Sequence, residues 1–421
     1  MGRSVGIVLA ASLLLFGCGG GSSGGDGGNT PRPTFTRTIR TGQVTRTPTF
    51  SRGTATPTPP PTATVEQGTR TPTPVITGQR TRTRTPTQDP TLFQTLYVRT
   101  TGNDENPGTA PDMALRTLSR AAALMQAGTT VYVGSGRYTG RFAISGKVGT
   151  AARPIQLIAD TSGARTGSPA GDVIIDADED IVALILTRST YVSVDSFVIT
   201  GALPQTEPEP ATATAVQIRT GSNNTTIRNC IISNLAESDG VRIGGSNDVL
   251  LFNNLIFEND RGILISGDSQ RTRVINNTIV NHQRAGIALT LNGDVAPIDT
   301  TVLNNIVQHN ENNIAISVAQ GPPSGLEGFN GNFNLVFEPG IEDQAMIYNP
   351  IQARGANDVN ADALFSNVGQ GDVHLAPGSP AIDAGTDTIG MPLVNALTQR
   401  STTPDGAADS APVDLGYHYP R

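Results

Sequence analysis

The feature that most constrains this chain is a six-residue pattern of apolar residues around one or two asparagines, which occurs four times in its second half. The copies are residues 227–232, 251–256, 274–279 and 302–307. Their first asparagines are separated by 24, 23 and 28 residues. A repeat of this length cannot bury an apolar face alone, so the repeats must stack on one another. Because short alternating strands flank each asparagine, the spacing predicts a parallel β-helix with one coil per repeat.

The asparagines are predicted to stack along the axis of the coils. Equivalent residues of successive coils lie about 4.8 Å apart. An amide at a corner can therefore bond to its own turn and to the amides above and below it. The predicted stack consists of Asn229, Asn253, Asn254, Asn276, Asn277, Asn304 and Asn305. Cys230 takes the place of the second asparagine in its coil, and we expect a buried structural residue there rather than a reactive thiol.

A second set of strands lies between the asparagine segments, at residues 241–243, 263–265, 287–289 and 314–316. Three of them begin at or next to Gly240, Gly262 and Gly286, and glycine suits a corner that leaves no room for a Cβ atom. Side chains alternate along a strand, so the middle residue of each triplet is predicted to face outward. With the preceding coil, the outer face of this sheet is expected to show Gln217, Arg219, Arg242, Leu264, Ala288 and Ala315.

Composition agrees with this architecture and argues against several classes of protein. Aromatic residues make up 5% and charged residues 15% of the chain, whereas Gly occurs 47 times. This profile favours short strands and tight turns over a helical enzyme. Residues 29–90 carry nine Arg against two acidic residues, while residues 91–421 carry 19 Lys or Arg against 33 Asp or Glu, a net charge of −14. An acidic body is expected to bind nucleic acid poorly, so nucleic acid is not a predicted partner.

The N-terminus has the features of an export signal. Arg3 precedes an apolar run at residues 5–15, which is too short to span a bilayer. Residues 15–19, Leu-Phe-Gly-Cys-Gly, resemble the bacterial lipobox, which implies that residues 1–18 are a lipoprotein signal peptide and that Cys18 is lipidated. Residues 19–92, rich first in Gly and Ser and then in Thr, Pro and Arg, are predicted to be a disordered tether. We expect a protein anchored by its lipid in the outer membrane or at the cell surface.

The body resembles the secreted right-handed parallel β-helix family that includes pectate lyases. The resemblance rests on residues 96–98, 102–104, 106–109, 115–118, 128–133, 136–138, 153–155, 375–385 and 413–417. It implies an all-β, single-stranded solenoid with a short N-terminal capping helix, which the sequence places at residues 118–125. Residues 93–345 are then predicted to form the β-helix, and residues 346–421 its C-terminal end and cap. We expect a monomer.

The resemblance also implies where a lyase would carry its active site. Lyases on this fold use a carboxylate-bound Ca²⁺ and an Arg or Lys base on the outer face of one sheet. Here that face offers Arg219 and Arg242 but no carboxylate cluster, which disfavours such a lyase. The acidic run at residues 176–180 supplies oxygen ligands that suit Ca²⁺, with an exposed turn as the simpler alternative. No Cys/His pattern predicts a metal site.

A second enzyme design on this fold is that of the polygalacturonases, which place three aspartates and a histidine on adjacent coils. Asp239, Asp260 and His282 are spaced by 21 and 22 residues and are the candidate catalytic residues. In such a site one carboxyl group protonates the leaving group and another activates water. Arg261 stands where a further aspartate is expected. The alternative is a set of solvated corner residues with a structural role.

The sequence favours a surface-anchored lipoprotein whose β-helix binds an extended polysaccharide or cell-surface polymer, with processing of that polymer left open. Gln217, Arg219, Arg242 and Arg261 are the predicted substrate-binding residues. The alternatives are a non-enzymatic adhesion or spacer protein and a degenerate polygalacturonase-like hydrolase. The sequence leaves catalysis undecided, and no cofactor other than Ca²⁺ is suggested.

Overall fold

The computed structural model describes residues 93–178, 180–202, 213–233, 238–310, 316–319, 324–368 and 371–421. The predicted signal peptide and tether, including Cys18, lie outside the described residues. In the described part of the chain, no helix is both long and apolar enough to cross a membrane.

The body is a stack of coils, and each complete coil contributes one strand to each of three parallel sheets. Sheet A contains the strands Gln94–Val98, Thr129–Gly134, Ile155–Asp160, Val192–Asp195, Thr226–Arg228, Leu250–Phe252, Arg273–Ile275, Thr301–Leu303 and Asn330–Asn332. Sheet B contains Gly136–Thr139, Val173–Asp176, Val198–Thr200, Ile231–Ser233, Leu255–Phe257, Thr278–Val280, Ile306–Gln308 and Leu335–Phe337. Sheet C contains Phe142–Ser145, Val182–Thr187, Ala213–Arg219, Ser238–Gly244, Arg261–Ser266, Ile287–Thr290, Ile316–Val318 and Tyr348–Asn349. The chain runs from sheet A to B to C in each coil.

The helices are short, as an all-β fold requires. Among the described residues they include Leu118–Leu124, Gln344–Ile347 and Met391–Leu397, with 3₁₀ turns at Pro111–Met113, Ile351–Ala353 and Asp387–Ile389. The first helix begins after Thr117, whose hydroxyl accepts from the Arg120 backbone N–H at 3.1 Å. It buries Leu118 and Ala121 in the main core, which confirms the predicted N-terminal capping helix. Two antiparallel strand pairs join Phe365–Asn367 to Asp372–Leu375 and Arg400–Ser401 to Tyr419–Pro420.

Alternate residues of each strand point into the interior of the coils, and most of them are apolar. In sheet C, Val241 and Ile243 pair with Ile263 and Ile265 of the next coil, and all four have no exposed surface. Burying each such side chain stabilises the fold by about 1.5–3 kcal/mol. Successive coils approach so closely at the start of this sheet that a Cβ atom on Gly262 would lie 2.5 Å from a backbone oxygen of the next coil. A glycine is therefore required at this corner.

An inner asparagine ladder runs along the corner between sheets A and B. Each amide Nδ2 donates to the Oδ1 atom of the next coil, at 2.9 Å from Asn254 to Asn277 and 3.0 Å from Asn277 to Asn305. The ladder continues to Asn334 and ends at Asp358, two members that the repeat pattern did not reveal. Cys230 precedes Asn254 in this ladder, and burial raises the pKa of its thiol to about 12. This is the environment of a structural residue.

The first asparagine of each pair has a different role, because it adopts the left-handed backbone conformation and bonds outward. Asn253 exchanges two hydrogen bonds with the backbone of His418, at 3.0 and 2.6 Å. Asn276 donates to the Asp414 carbonyl at 2.9 Å, and Asn304 to the Thr386 carbonyl at 3.0 Å. The last residues of the chain thus lie along the outside of the coils, on the corner between sheets A and B.

The predicted alignment of the second strand set is wrong at its last member. Ile316, Ser317 and Val318 pair with Ile287, Ala288 and Leu289, so the outward residue of this coil is Ser317 and not Ala315, which lies outside the described residues. The coil is longer than its predecessors, and an alignment by apolar pattern placed its strand two residues early. In a strand such a shift keeps the alternation but changes the row.

Candidate functional site

The outer face of sheet C brings together most of the predicted binding residues. Gln217 and Arg242 are neighbours in one row that points away from the core, and Arg219 lies beside them at the end of its strand. The same row continues with Leu264 and Ala288. These two side chains are only 5% and 4% exposed and form a small apolar cluster with Ala285. The polar part of this face is therefore confined to the middle coils.

Asp239 lies at the start of its strand and is held by two arginines. Arg242 donates to Oδ2 at 3.0 Å through Nε and at 2.8 Å through Nη2. Arg261, in register with Asp239 on the next coil, donates to Oδ1 at 2.7 Å. The Asp239 side chain has no exposed surface, while those of Arg242 and Arg261 keep 28% and 17%. Such charge-assisted bonds fix the direction of the guanidinium groups.

Asp260 is bound in the same way one coil further along. Arg284 engages both of its oxygens, and Nε of Arg284 lies 2.7 Å from Oδ1. Arg261 is also 4.0 Å from Asp260, so it links the two carboxylates. Arg284 was missed in the sequence, although it lies two residues before Gly286 and Arg261 lies one residue before Gly262. That proximity to the corner glycine was the available signal.

These contacts form one continuous group, which we call the arginine–aspartate chain: Arg242, Asp239, Arg261, Asp260 and Arg284. Arg219 lies nearby and makes no ion pair with any described residue. Counting Arg219, four positive and two negative charges give +2 on a body whose net charge is −14 for residues 91–421. The face is a local basic site on an acidic molecule.

His282 lies in the interior and not on this face. Its side chain has no exposed surface, and its Nδ1 atom accepts from the Asn259 backbone N–H at 3.2 Å. Burial lowers the pKa of His282 to about 4 and outweighs the nearby backbone groups and the Asp260 carboxylate. Asn259, His282 and Asn310 occupy equivalent corner positions, each directly after a residue with positive φ. The histidine replaces an asparagine in a ladder at the corner between sheets B and C.

The three predicted catalytic residues consequently occupy three different rows. Asp239 is aligned with Arg261 of the next coil. Asp260 lies one row earlier, where its backbone N–H donates to the Ser238 carbonyl. His282 lies another row earlier and is aligned with Asn259. From Asp239 one coil is 22 residues long, and from Asn259 it is 23. The spacings of 21 and 22 residues between the candidates are each one residue shorter, so each candidate lies one position earlier in its coil than the one before. The assignment of catalytic roles stays a prediction, but the geometry separates the histidine from the carboxylates.

The acidic run near residue 176 is engaged with arginines. Asp176 forms an ion pair with Arg137 and accepts from the Asp178 backbone N–H at 2.9 Å. Asp180 lies 4.0 Å from Arg141. Among the described residues, which exclude position 179, no group of three or more His, Cys, Asp or Glu side chains is arranged to hold a metal ion.

Comparison with known proteins finds one family match and several structures of similar fold. Residues 183–325 match the family model for the right handed beta helix region. Similar solved structures include an alginate lyase from Paenibacillus sp. str. FPU-7, with 14% identity over 64% of this chain and 96% of that chain and a TM-score of 0.42. Pectate lyase Pel9A has 15% identity over 78% of this chain and 96% of that chain, with a TM-score of 0.43. A rhamnogalacturonan lyase has 15% identity over 65% of this chain and 90% of that chain, with a TM-score of 0.41. No curated protein matches the sequence. The family match and the three parallel sheets confirm the predicted right-handed parallel β-helix.

Proposed function

On the scaffold of a right-handed β-helix, we propose that this protein is a surface-anchored lipoprotein that binds an extended anionic polysaccharide along the outer face of sheet C. The observation that carries the proposal is the arginine–aspartate chain. It presents partly exposed guanidinium groups on three successive coils of an otherwise acidic body. Stacked coils repeat such groups at intervals along the axis, which suits a polymer better than a small molecule.

The aspartates explain why these arginines suit ligand binding. A guanidinium group offers five N–H donors in a planar fork that matches a carboxylate or sulfate. Each aspartate occupies part of that fork and fixes it, which lowers the entropy lost when a ligand is bound. Arg284 remains 52% exposed at its side chain and Arg242 28%. Their remaining donors are available to the carboxylates of a uronate polymer.

The same contacts argue for binding rather than hydrolysis. Both oxygens of Asp239 and of Asp260 already accept from guanidinium groups. A carboxyl group that protonates a leaving group or activates water must reach the substrate directly or through one water. His282, with a pKa of about 4 and no exposed surface, is neutral and shielded at physiological pH.

The test compares two polymers that differ mainly in charge. Retention of the full-length protein is measured by affinity electrophoresis in gels containing polygalacturonate or highly methyl-esterified pectin, at rising salt. We expect binding to polygalacturonate that weakens with salt, and weak binding to the ester. Arg219→Gln and Arg284→Gln should each weaken binding at least about tenfold, since a hydrogen bond to a charged group is worth about 1.5–3 kcal/mol.

Arg116→Gln is the matched control, because Arg116 is exposed and lies beside the first strand of sheet C, at the end of the sheet away from the coils of the arginine–aspartate chain. It should bind like the wild type. If the double variant Arg219→Gln, Arg284→Gln were retained by polygalacturonate as strongly as the wild type, the proposal would be contradicted. The protein is also incubated with both polymers in solution, and the mixtures are assayed for reducing ends. Reducing ends that the wild type produces and Asp260→Asn does not would favour the hydrolase alternative over binding alone.

A further inference from the structure

A second ladder of outward side chains runs along the corner between sheets C and A. Its members are Tyr191, Asn224, Asp248, Arg271 and Asp299, with φ between 50° and 60° at each (52°, 54°, 58°, 55° and 55°). Each donates its backbone N–H to a carbonyl of the following coil, so they stack one above the other. Five rungs at the spacing of about 4.8 Å per coil extend over roughly 19 Å.

This ladder forms one side of a groove on the outer face of sheet A. The groove has a volume of about 520 Å³ and also includes Thr226, Leu250, Arg273 and Thr301. Three of these, Thr226, Leu250 and Arg273, are successive members of one outward row. Arg273 is half-buried and donates to the Ile389 carbonyl at 3.0 Å. The groove is thus bordered on its far side by the C-terminal segment and runs parallel to the axis of the coils.

The groove is polar but carries no net charge. Asp248 and Arg271 form an exposed ion pair with two bonds, at 2.7 and 2.8 Å. With Arg273 and Asp299, the groove has two positive and two negative charges. Among the described residues, the side chains of Tyr191, Asn224, Thr226, Asp299 and Thr301 have no hydrogen-bond partner. The groove therefore offers both donors and acceptors to a ligand.

We propose that this corner groove is a second binding site, for a neutral linear oligosaccharide. Sugar hydroxyls both donate and accept, and they match a row of mixed carboxylate, amide, hydroxyl and guanidinium groups. Tyr191 and Leu250 offer apolar surface to the C–H face of a sugar ring. A nucleic acid would need a net positive groove, and an apolar peptide anchor would need deeper hydrophobic pockets.

The inference is independent of the site on sheet C, because the two sites use different sheets and differ in charge. A neutral glycan has no carboxylates for the arginine–aspartate chain. Conversely, the groove offers a polyuronate no net electrostatic attraction, since its two arginines are balanced by its two aspartates. Salt should therefore affect the two sites differently, with little effect on the groove.

The test is isothermal titration of the full-length protein with cellohexaose, xylohexaose and mannohexaose, and with hexagalacturonate as the charged comparison. The variants are Asn224→Gly and Asp299→Gly. Glycine keeps the left-handed conformation without strain, and the next member of the ladder is naturally Gly328, with φ of 64°. Asn281→Gly is the matched control, since Asn281 has φ of 61° but lies on the corner between sheets B and C.

We expect at least one neutral hexasaccharide to bind with little dependence on salt. Asn224→Gly and Asp299→Gly should each weaken that binding at least fivefold, while Asn281→Gly changes it less than twofold. Binding of hexagalacturonate should be unchanged in both groove variants. The inference is overturned if no neutral hexasaccharide binds, or if its binding is lost in Arg219→Gln but retained in the groove variants.

Discussion

At the scale of single residues, the corners of the coils explain which polar side chains are structural. Each corner has its own ladder of inward groups, and the ladder satisfies backbone donors that a tight buried turn would otherwise leave unpaired. Asparagines fill the corner between sheets A and B, and serines the corner between C and A, where the Ser222 N–H donates to Ser246 Oγ at 3.1 Å. His282 belongs to such a ladder, with Asn259 before it and Asn310 after it.

This position makes His282 a source of pH-dependent stability. Its pKa falls from 6.5 to about 4 on folding, so the unfolded chain binds more protons between these values. The stability that the neutral histidine contributes is present above pH 6.5 and is lost as pH falls towards 4. At about 1.4 kcal/mol per pKa unit, the loss is about 3 kcal/mol.

The measurement is urea unfolding of the wild type and of His282→Asn at pH 7 and at pH 4. Asparagine is the residue of the neighbouring coils and can accept from the Asn259 N–H without titrating. We expect the free energy of unfolding of the wild type to fall by about 3 kcal/mol more than that of the variant. An equal loss in both proteins would show that His282 does not titrate in this way.

At the scale of elements, the C-terminal segment covers part of the outer faces of two sheets. Ile389, Leu397 and Val413 pack on Phe252 and Ile275 of sheet A. A second contact places Val373 and Tyr417 on sheet B, against Leu255, Phe257 and Val280. His418 anchors the end of the segment, since its Nε2 atom lies 2.8 Å from Asp409 and both side chains are buried. The outward asparagines supply the polar contacts of this interface.

Asn253→Gly should loosen this segment without straining the coil. Asn253 has φ of 53°, which glycine adopts freely, so the change removes its bond to Asn229 Oδ1 within the coils and its two hydrogen bonds to the His418 backbone. Only the two bonds to His418 hold the segment. At about 0.5–1.5 kcal/mol each, this loss should speed local opening by on the order of tenfold. Hydrogen exchange of residues 414–421 measures it, with Asn281→Gly as the control. Unchanged exchange in Asn253→Gly would show that apolar packing alone holds the segment.

At the scale of the whole molecule, charge is distributed in three parts. The predicted tether is basic and the body is acidic, with net charges of +7 for residues 29–90 and −14 for residues 91–421. The arginine–aspartate chain is a basic exception within that body. The C-terminal segment packs on sheets A and B, whereas Arg242 and Arg284 at sheet C keep exposed side chains and the corner groove lies beside the segment.

Anchoring through Cys18 is a prediction for the whole chain. Cys18→Ser should abolish incorporation of radiolabelled palmitate and shift the protein from the membrane fraction to the soluble fraction, because the lipid supplies the apolar surface that holds it there. Cys230→Ser is the control. Because Cys230 is fully buried, this variant should leave labelling unchanged. Label retained in Cys18→Ser would rule out this anchor.

The sequence by itself determined the coil architecture, because each repeat carries its own strands, corner glycine and asparagines within about 25 residues. Local periodicity was enough to place Val241, Asn254 and Gly262, and the N-terminal helix. The tertiary structure alone decided which residues of different coils meet. The coil from Asn259 to His282 is one residue longer than the spacing from Asp260 to His282, so Gln283 takes the row of Asp260 and His282 aligns with Asn259 in the core. No local pattern shows such a shift, and none shows that the chain returns along sheets A and B. Both depend on contacts between residues distant in sequence.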